Sequence, residues 1–195
     1  MSEACPESDR PCTTLRNEHR VIERVLGVLA TLVKRFRSGG GFEKDAFLDC
    51  IQFFRLFADA CHHGKEEALL FPKLEARGIP RERGPIGVML YEHQVGRDLV
   101  RRMADAIQSG ENGNPTAGMQ AVEAADQLVA HLSQHIAKED NILFVMGERV
   151  LSEDDQQQLC TGFNEVGCRQ FEGKTRAELQ RLAAEIETRW PVTGV

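Results

Sequence analysis

Two stretches of this 195-residue chain place metal-binding side chain types at the same spacing. His62-His63-Gly64-Lys65-Glu66-Glu67-Ala68-Leu69-Leu70-Phe71 and His135-Ile136-Ala137-Lys138-Glu139-Asp140-Asn141-Ile142-Leu143-Phe144 share the pattern H-x-x-K-E-[ED]-x-x-L-F at a constant offset of 73 residues. A weaker echo, Glu18-His19 and Glu92-His93, recurs at an offset of 74. Residues four apart on a helix differ by ~40° around its axis and ~6 Å along it, so both side chains can converge on one point. An imidazole and a carboxylate from adjacent turns make half of a metal site. Two such helices face to face, with one more nitrogen each from His19 and His93, would offer six protein ligands to two metal ions. Coordination positions would remain open for a small molecule. Imidazole with carboxylate suits iron, manganese or zinc and does not favour copper(I).

Other pairs compete for these roles. His63 and Glu67 have the same i,i+4 spacing and share a stripe with Leu56, Ala60 and Leu70; the repeat alignment favours His62 and Glu66. His131 lies one turn before His135 and reads as a residue lining the site or supporting it from behind. Glu23, four after His19, leaves the apolar stripe and reads as solvated. Glu18 and Glu92 directly precede their histidines, ~100° away around the helix, and read as surface residues. An i,i+4 pair on a helix surface is worth only ~0.2–0.5 kcal/mol. Four imidazoles and two carboxylates on inward stripes, by contrast, would be costly to bury without a partner, and that favours a bound metal.

The elements that must position these groups are helices. Leu15, His19, Ile22, Leu26, Leu29, Val33 and Phe36 follow at steps of four and three, which predicts one helix over 14–37, with Thr13 or Thr14 as cap and Gly39-Gly40-Gly41 as its end. A second helix is predicted over 43–77, with Pro72 kinking or tightening its last turns. A third is predicted over 86–108, after a connection from Gly78 to Pro85. The fourth follows the turn-rich segment from Ser109 to Pro115, with Pro115 in its first turn, and runs to about Arg149. No segment alternates with period two. The fold expected is all-α: a tail over 1–13, an up-down-up-down four-helix bundle over 14–150, and a helical extension over 151–195 packing on the bundle. Within the extension, Ser152-Glu153-Asp154-Asp155 resembles a capped helix start, and Thr175 to Arg189 is amphipathic.

Composition excludes several classes of function. A formal net charge of −6 and a pI near 5.6 argue against a nucleic-acid binder with a broad basic surface. No apolar run approaches the ~18 residues of a membrane span, and the polar N-terminus lacks a secretory signal, so the expected location is the cytoplasm. The six cysteines are then expected as thiols rather than a disulfide framework. Cys61, beside His62, reads as a small buried hydrophobe, and the Cys5/Cys12 and Cys160/Cys168 spacings match no common zinc pattern. No nucleophile motif is present, and Gly39-Gly40-Gly41 joins two helices, so it is not a phosphate loop.

Over about residues 14–149 these motifs resemble the hemerythrin-like (HHE cation-binding) family. The resemblance implies a four-helix bundle around a non-haem, carboxylate-bridged di-iron centre, with His19, His62, Glu66, His93, His135 and Glu139 as ligands, and with manganese or zinc ranking behind iron. The ferritin-like alternative uses Glu-x-x-His twice; here Arg16, Asp59, Leu90 and Leu132 stand three before the four histidines, and none is Glu. The chain departs from the oxygen-carrying members, which have a second third-helix histidine where Arg97 stands and an Asp ligand where Asp140 stands. It is similar instead to the branch with fewer histidines. The function implied is a di-iron protein that binds or senses oxygen, nitric oxide or hydrogen peroxide. The alternatives are a di-iron oxidoreductase of the peroxidase or nitric oxide-stress and iron–sulfur repair type, or an iron-dependent regulatory switch.

Overall fold

Six helices account for most of the residues described by the computed structural model, namely 5–111, 113, 115–167 and 169–192. Helix α1 spans Pro11–Arg37, α2 spans 44–76, α3 spans Pro85–Glu111 and α4 spans 117–150. Each of the four packs on two others: α1 lies between α2 and α4, and α3 closes the ring between them. Two further helices, α5 (Glu153–Gly167) and α6 (Arg176–Arg189), follow the bundle. No strand is formed among the described residues; one isolated bridge joins Phe171 and Lys174. Cys168, named above, and Asn112 and Asn114 of the Ser109–Pro115 segment lie outside the described residues.

The helix boundaries differ from the sequence pattern where local chemistry overrides it. Helix α1 begins at Pro11, whose fixed φ and missing N–H suit a first turn. Thr14 is therefore inside the helix and no cap; its hydroxyl donates to the Asp9 carbonyl at 3.2 Å. Pro115 lies two residues before α4 rather than in its first turn.

Helices α2 and α4 are not α-helical throughout. Both contain a π-helical turn at the same place in the repeat, Glu66–Leu70 and Glu139–Leu143, and α2 has a further π-helical stretch over Phe54–His63. The turn at Glu66–Leu70 lies directly before Pro72, which has no N–H to give the preceding turn. π-helical bonding reaches from i to i+5, so neighbouring side chains diverge by less than the ~100° of an α-helix.

The core is divided by a polar layer. On one side Ile22 to Val33, Ala46 to Cys61, Leu99 to Ile107 and Ala121 to Ile136 contribute the larger apolar cluster. On the other, Cys12, Leu15, Leu70, Phe71, Leu74, Ile86, Met89, Leu143 and Phe144 belong to a smaller one. His19, His62, Glu66, His93, His135 and Glu139 lie at the junction, all at most 1% exposed.

The two C-terminal helices join both clusters. Leu179, Ala183 and Ile186 of α6 enter the larger cluster against α1 and α2, and Leu159 and Phe163 of α5 enter the smaller. Gly162 lets α5 approach α2 closely, since a Cβ there would stand 3.1 Å from Leu69 Cδ1. Helix α6 starts with a capping box between Thr175 and Glu178.

The start of α5 is fixed by buried Asp155. It accepts from the Ser152 amide (3.0 Å) and Arg77 Nε (2.6 Å), and its Oδ1 lies 3.3 Å from Lys73 Nζ. The Arg77 guanidinium holds the Asp155 carboxyl well below the usual carboxylate range. A carboxyl with a lowered folded-state pKa stabilises fully above the unfolded value of about 3.9 and loses that contribution as pH falls through the folded value. Asp155→Asn is therefore expected to flatten the acid limb of stability. Urea midpoints measured from pH 5 to pH 3 check this, and parallel curves for the two proteins would contradict it.

Candidate metal centre

The centre is built twice, once in each half of the bundle. In each half the repeated motif supplies a histidine and, one turn on, a glutamate. The partner helix supplies a second histidine. His62 and Glu66 come from α2, His135 and Glu139 from α4, His19 from α1 and His93 from α3. The structure brings all six together. His19 Nε2 is 3.2 Å and His135 Nε2 3.3 Å from Glu139 Oε2, while His62 Nε2 and His93 Nε2 are 3.6 and 3.5 Å from Glu66 Oε2. His93 Nε2 is also 3.7 Å from Glu139 Oε1.

Four carboxylates outside this set fix the imidazoles from behind. His19 Nδ1 donates to Asp140 (2.7 Å), His62 to Glu18 (3.0 Å), His93 to Glu67 (2.7 Å) and His135 to Glu92 (3.0 Å). A carboxylate only accepts, so each Nδ1 carries a proton and each Nε2 faces the centre, which is the arrangement of metal-ligating histidines. The carboxylates are held in turn by cations: Glu18 by Lys65 and by Arg176 (3.1 Å), Glu92 by Lys138, Asp140 by Arg20 and Glu67 by Arg97 (2.7 Å). The motif's terminal aromatic completes the pattern, with Phe144 stacked on His19 and Phe71 on His93 at centroid distances of 5.5 and 5.7 Å. The position after the motif glutamate (Glu67, Asp140) thus serves a histidine of the opposite half.

Glu18 and Glu92 correct the surface reading given to them above. Glu18 is 1% exposed, and both side chains are long enough to reach from their own helix to the Nδ1 of a neighbouring one. The doubled Glu-His dipeptide and the repeated lysine were the sequence signals for this role. His131 supports the site from outside: its Nε2 donates to the Glu92 carbonyl (2.8 Å) and its ring stacks on His135.

His63 also reaches the centre, although it follows His62 directly. The π-helical stretch over Phe54–His63 narrows the angle between neighbours and turns both rings inward. His63 stacks on His93 at 3.8 Å and can share one point with His93 and His135, while His19, His62, Glu66 and Glu139 can share another. Its i+4 neighbour Glu67 faces His93 instead, so the two residues of that competing pair take different roles.

Without a metal, protons occupy part of the centre. Burial and the nearby Glu139 push the Glu66 carboxyl well above its ordinary range. Burial acts on Glu139 in the same direction, but His135, His19 and His93 outweigh it and hold this carboxyl low. Burial disfavours charge on His135 too, yet Glu139 and Glu92 raise it to about 9. Burial lowers His62 to about 4. Two adjacent carboxylates without a cation cannot both ionise cheaply.

The orphaned atoms test whether a metal fits. The Nε2 atoms of His19, His62, His93 and His135 and all four carboxylate oxygens of Glu66 and Glu139 are buried without a hydrogen-bond partner. Buried polar groups are nearly always satisfied. Eight convergent lone-pair-bearing atoms fit divalent cations, which accept such donors and repel nothing in the site.

Arg176 makes the two halves unequal. It lies on α6 and adds a second cation to Glu18, whereas Glu92 in the other half has Lys138 alone. Arg176→Ala is expected to quicken chelator-driven metal loss from the His62 half, within the 10- to 100-fold range of such outer partners, with Arg176→Lys restoring part of it. Stopped-flow release that is unchanged in Arg176→Ala would contradict this.

The cysteines stand apart from this chemistry. Cys12, Cys50 and Cys61 are buried, and burial pushes Cys12 and Cys50 up to about 12 and also raises Cys61, so they remain thiols. No helix among the described residues is long and apolar enough to cross a membrane.

Comparison with known proteins agrees with the geometry. An uncharacterised protein of Mycobacterium bovis is 25% identical over 169 residues, which cover 85% of this chain and 66% of that protein. An uncharacterised protein of Mycobacterium tuberculosis matches to the same extent. The iron-sulfur cluster repair protein YtfE of Edwardsiella ictaluri is 34% identical over 86 residues, 43% of this chain and 38% of YtfE. The chain therefore spans only part of each of these relatives. No solved structure matches. The hemerythrin HHE cation binding domain matches residues 7–146, the span that contains all six converging residues and the carboxylates behind them, and the chain belongs to that family.

Proposed function

We propose that the chain holds two iron ions between its four bundle helices and binds or senses a small ligand there: oxygen, nitric oxide or hydrogen peroxide. The observation that carries this reading is the set of eight buried, unpartnered donor atoms from His19, His62, Glu66, His93, His135 and Glu139. In this reading His19 and His62 would hold one ion and His93 and His135 the other, with Glu66 and Glu139 as the carboxylate ligands. His63 could share a point with His93 and His135 and would be a further donor there. Iron in such a site supplies reversible redox chemistry and an open coordination position. The chain's own residues fix the imidazole tautomers, exclude bulk water with Phe71 and Phe144, and leave a small void of about 10 Å³ among His19, His62, His63 and His135. Metal analysis after anaerobic purification, with visible spectra before and after air and nitric oxide, tests the proposal. Two irons per chain with a reversible spectral change are expected; zero or one iron would overturn it.

A second reading, a di-iron oxidoreductase of the iron–sulfur repair type, is favoured by the similarity to YtfE over 86 residues. Repeated turnover with peroxide or nitric oxide, lost in His62→Ala, separates an enzyme from a sensor.

A further inference from the structure

A cavity of about 410 Å³ opens between α2, α3 and α4, and three of its lining residues, Ala58, His63 and Leu132, also wall the small void inside the centre. That is far more room than a diatomic molecule needs; an engineered cavity of about 150 Å³ already takes up benzene. Pockets of about 300–1,000 Å³ with apolar walls and a few placed polar groups are the usual form of sites for organic ligands. The floor here is apolar, formed by Phe54, Ala58, Val100, Leu128 and Leu132. Arg55, Arg97, Arg101 and Asp59 also line the cavity, and each of the three guanidiniums is ion-paired. Arg97 is held by both Asp59 (2.8 Å) and Glu67 (2.7 Å), and Asp59 lies 3.4 Å from His63 Nδ1.

The other two guanidiniums have replaceable partners. Arg55 pairs with Glu172 (2.6 Å) and Arg101 with Asp98 (2.8 Å), in ion pairs whose side chains are all at least 44% exposed. Exposed pairs of this kind are weak and exchange readily. A carboxylate seated at a partly desolvated rim gains a stronger, charge-assisted and potentially bidentate contact. Once Glu172 and Asp98 are displaced, Arg55 and Arg101 over an apolar floor suit an occupant with an apolar tail and a carboxylate.

We propose that this cavity binds a small amphipathic carboxylate, with its apolar tail on the floor and against His63 and its carboxylate between Arg55 and Arg101. The proposal rests on the di-iron reading only for its consequence, that an organic molecule would sit next to the metals. The occupancy itself stands on the cavity alone. Octanoate titrated calorimetrically into the protein as purified, and into chelator-treated protein, tests it, with octanol and acetate as comparisons. Octanoate is expected to bind at one site with or without metal, about tenfold or more tighter than octanol, and acetate is not expected to compete. Ala104→Trp, which fills the cavity from α3 away from the metal residues, is expected to abolish binding. Arg101→Glu is expected to weaken it by at least about tenfold. Both variants should keep the helical circular dichroism and metal content of the parent. The cavity proposal is overturned if octanoate does not bind, if octanol binds as tightly, if acetate competes, or if Ala104→Trp binds unchanged. Carboxylate binding in protein that takes up no iron would sink the di-iron reading and leave the cavity site standing.

Discussion

Glu18→Ala is expected to lower the unfolding free energy by about 3–5 kcal/mol and, separately, to weaken metal binding about 10- to 100-fold. The first effect comes from Lys65. Its ammonium is 1% exposed and is paired with Glu18, so removing the carboxylate strands a charge in the interior. The second comes from His62, whose Nδ1 loses the acceptor that fixes its tautomer and ring orientation. The two effects can be separated. In Glu18→Ala with Lys65→Met no buried charge is stranded, and stability should largely recover while metal affinity should not. The other half of the molecule supplies a control. Lys138, the partner of Glu92, is 38% exposed in its side chain, so Glu92→Ala should cost no more than about 1 kcal/mol of stability with a similar loss of affinity. Urea unfolding in the presence of chelator and competition against a colorimetric chelator are the measurements. Equal stability losses for Glu18→Ala and Glu92→Ala would contradict the assignment.

Iron loading is expected to raise the melting temperature by about 10 °C. A ligand that binds only the folded state at a thousand times its dissociation constant stabilises by about 4 kcal/mol, and a chain of about 200 residues gains roughly 2–4 °C per kcal/mol. The physical source is the eight unpartnered donor atoms, together with the Glu66 and Glu139 carboxyls, which resist joint ionisation until a cation lies between them. Differential scanning calorimetry of anaerobic protein with ferrous iron and with chelator gives the comparison. Glu66→Leu with Glu139→Leu should remove the shift. Identical melting of iron-loaded and chelator-treated protein would overturn the expectation.

The repeat made the centre legible in the sequence, because a duplicated motif at a fixed offset singles out His62, Glu66, His135 and Glu139 without any knowledge of packing. His19 and His93 followed from their place in apolar stripes. The family match and the all-helical bundle agree with that pattern. What escaped the pattern escaped for two physical reasons. A period of 3.6 cannot represent the π-helical stretch that turns His63 inward beside His62. Nor does helix periodicity register the reach of a side chain, and Glu18 and Glu92 matter because they extend to a neighbouring helix. Arg176 was invisible for a third reason: its role depends on where α6 lies against α1, which only the folded chain specifies.

The carboxylate after each motif glutamate serves the opposite half: Asp140 holds His19, and Glu67 holds His93. Neither helical hairpin, made alone, possesses a complete set of oriented nitrogens. A chain cut between α2 and α3 leaves each half one histidine still fixed from behind, His62 by Glu18 or His135 by Glu92. The second histidine of each half is oriented only when the complementary hairpin docks, so the full set of oriented nitrogens forms only with the whole bundle.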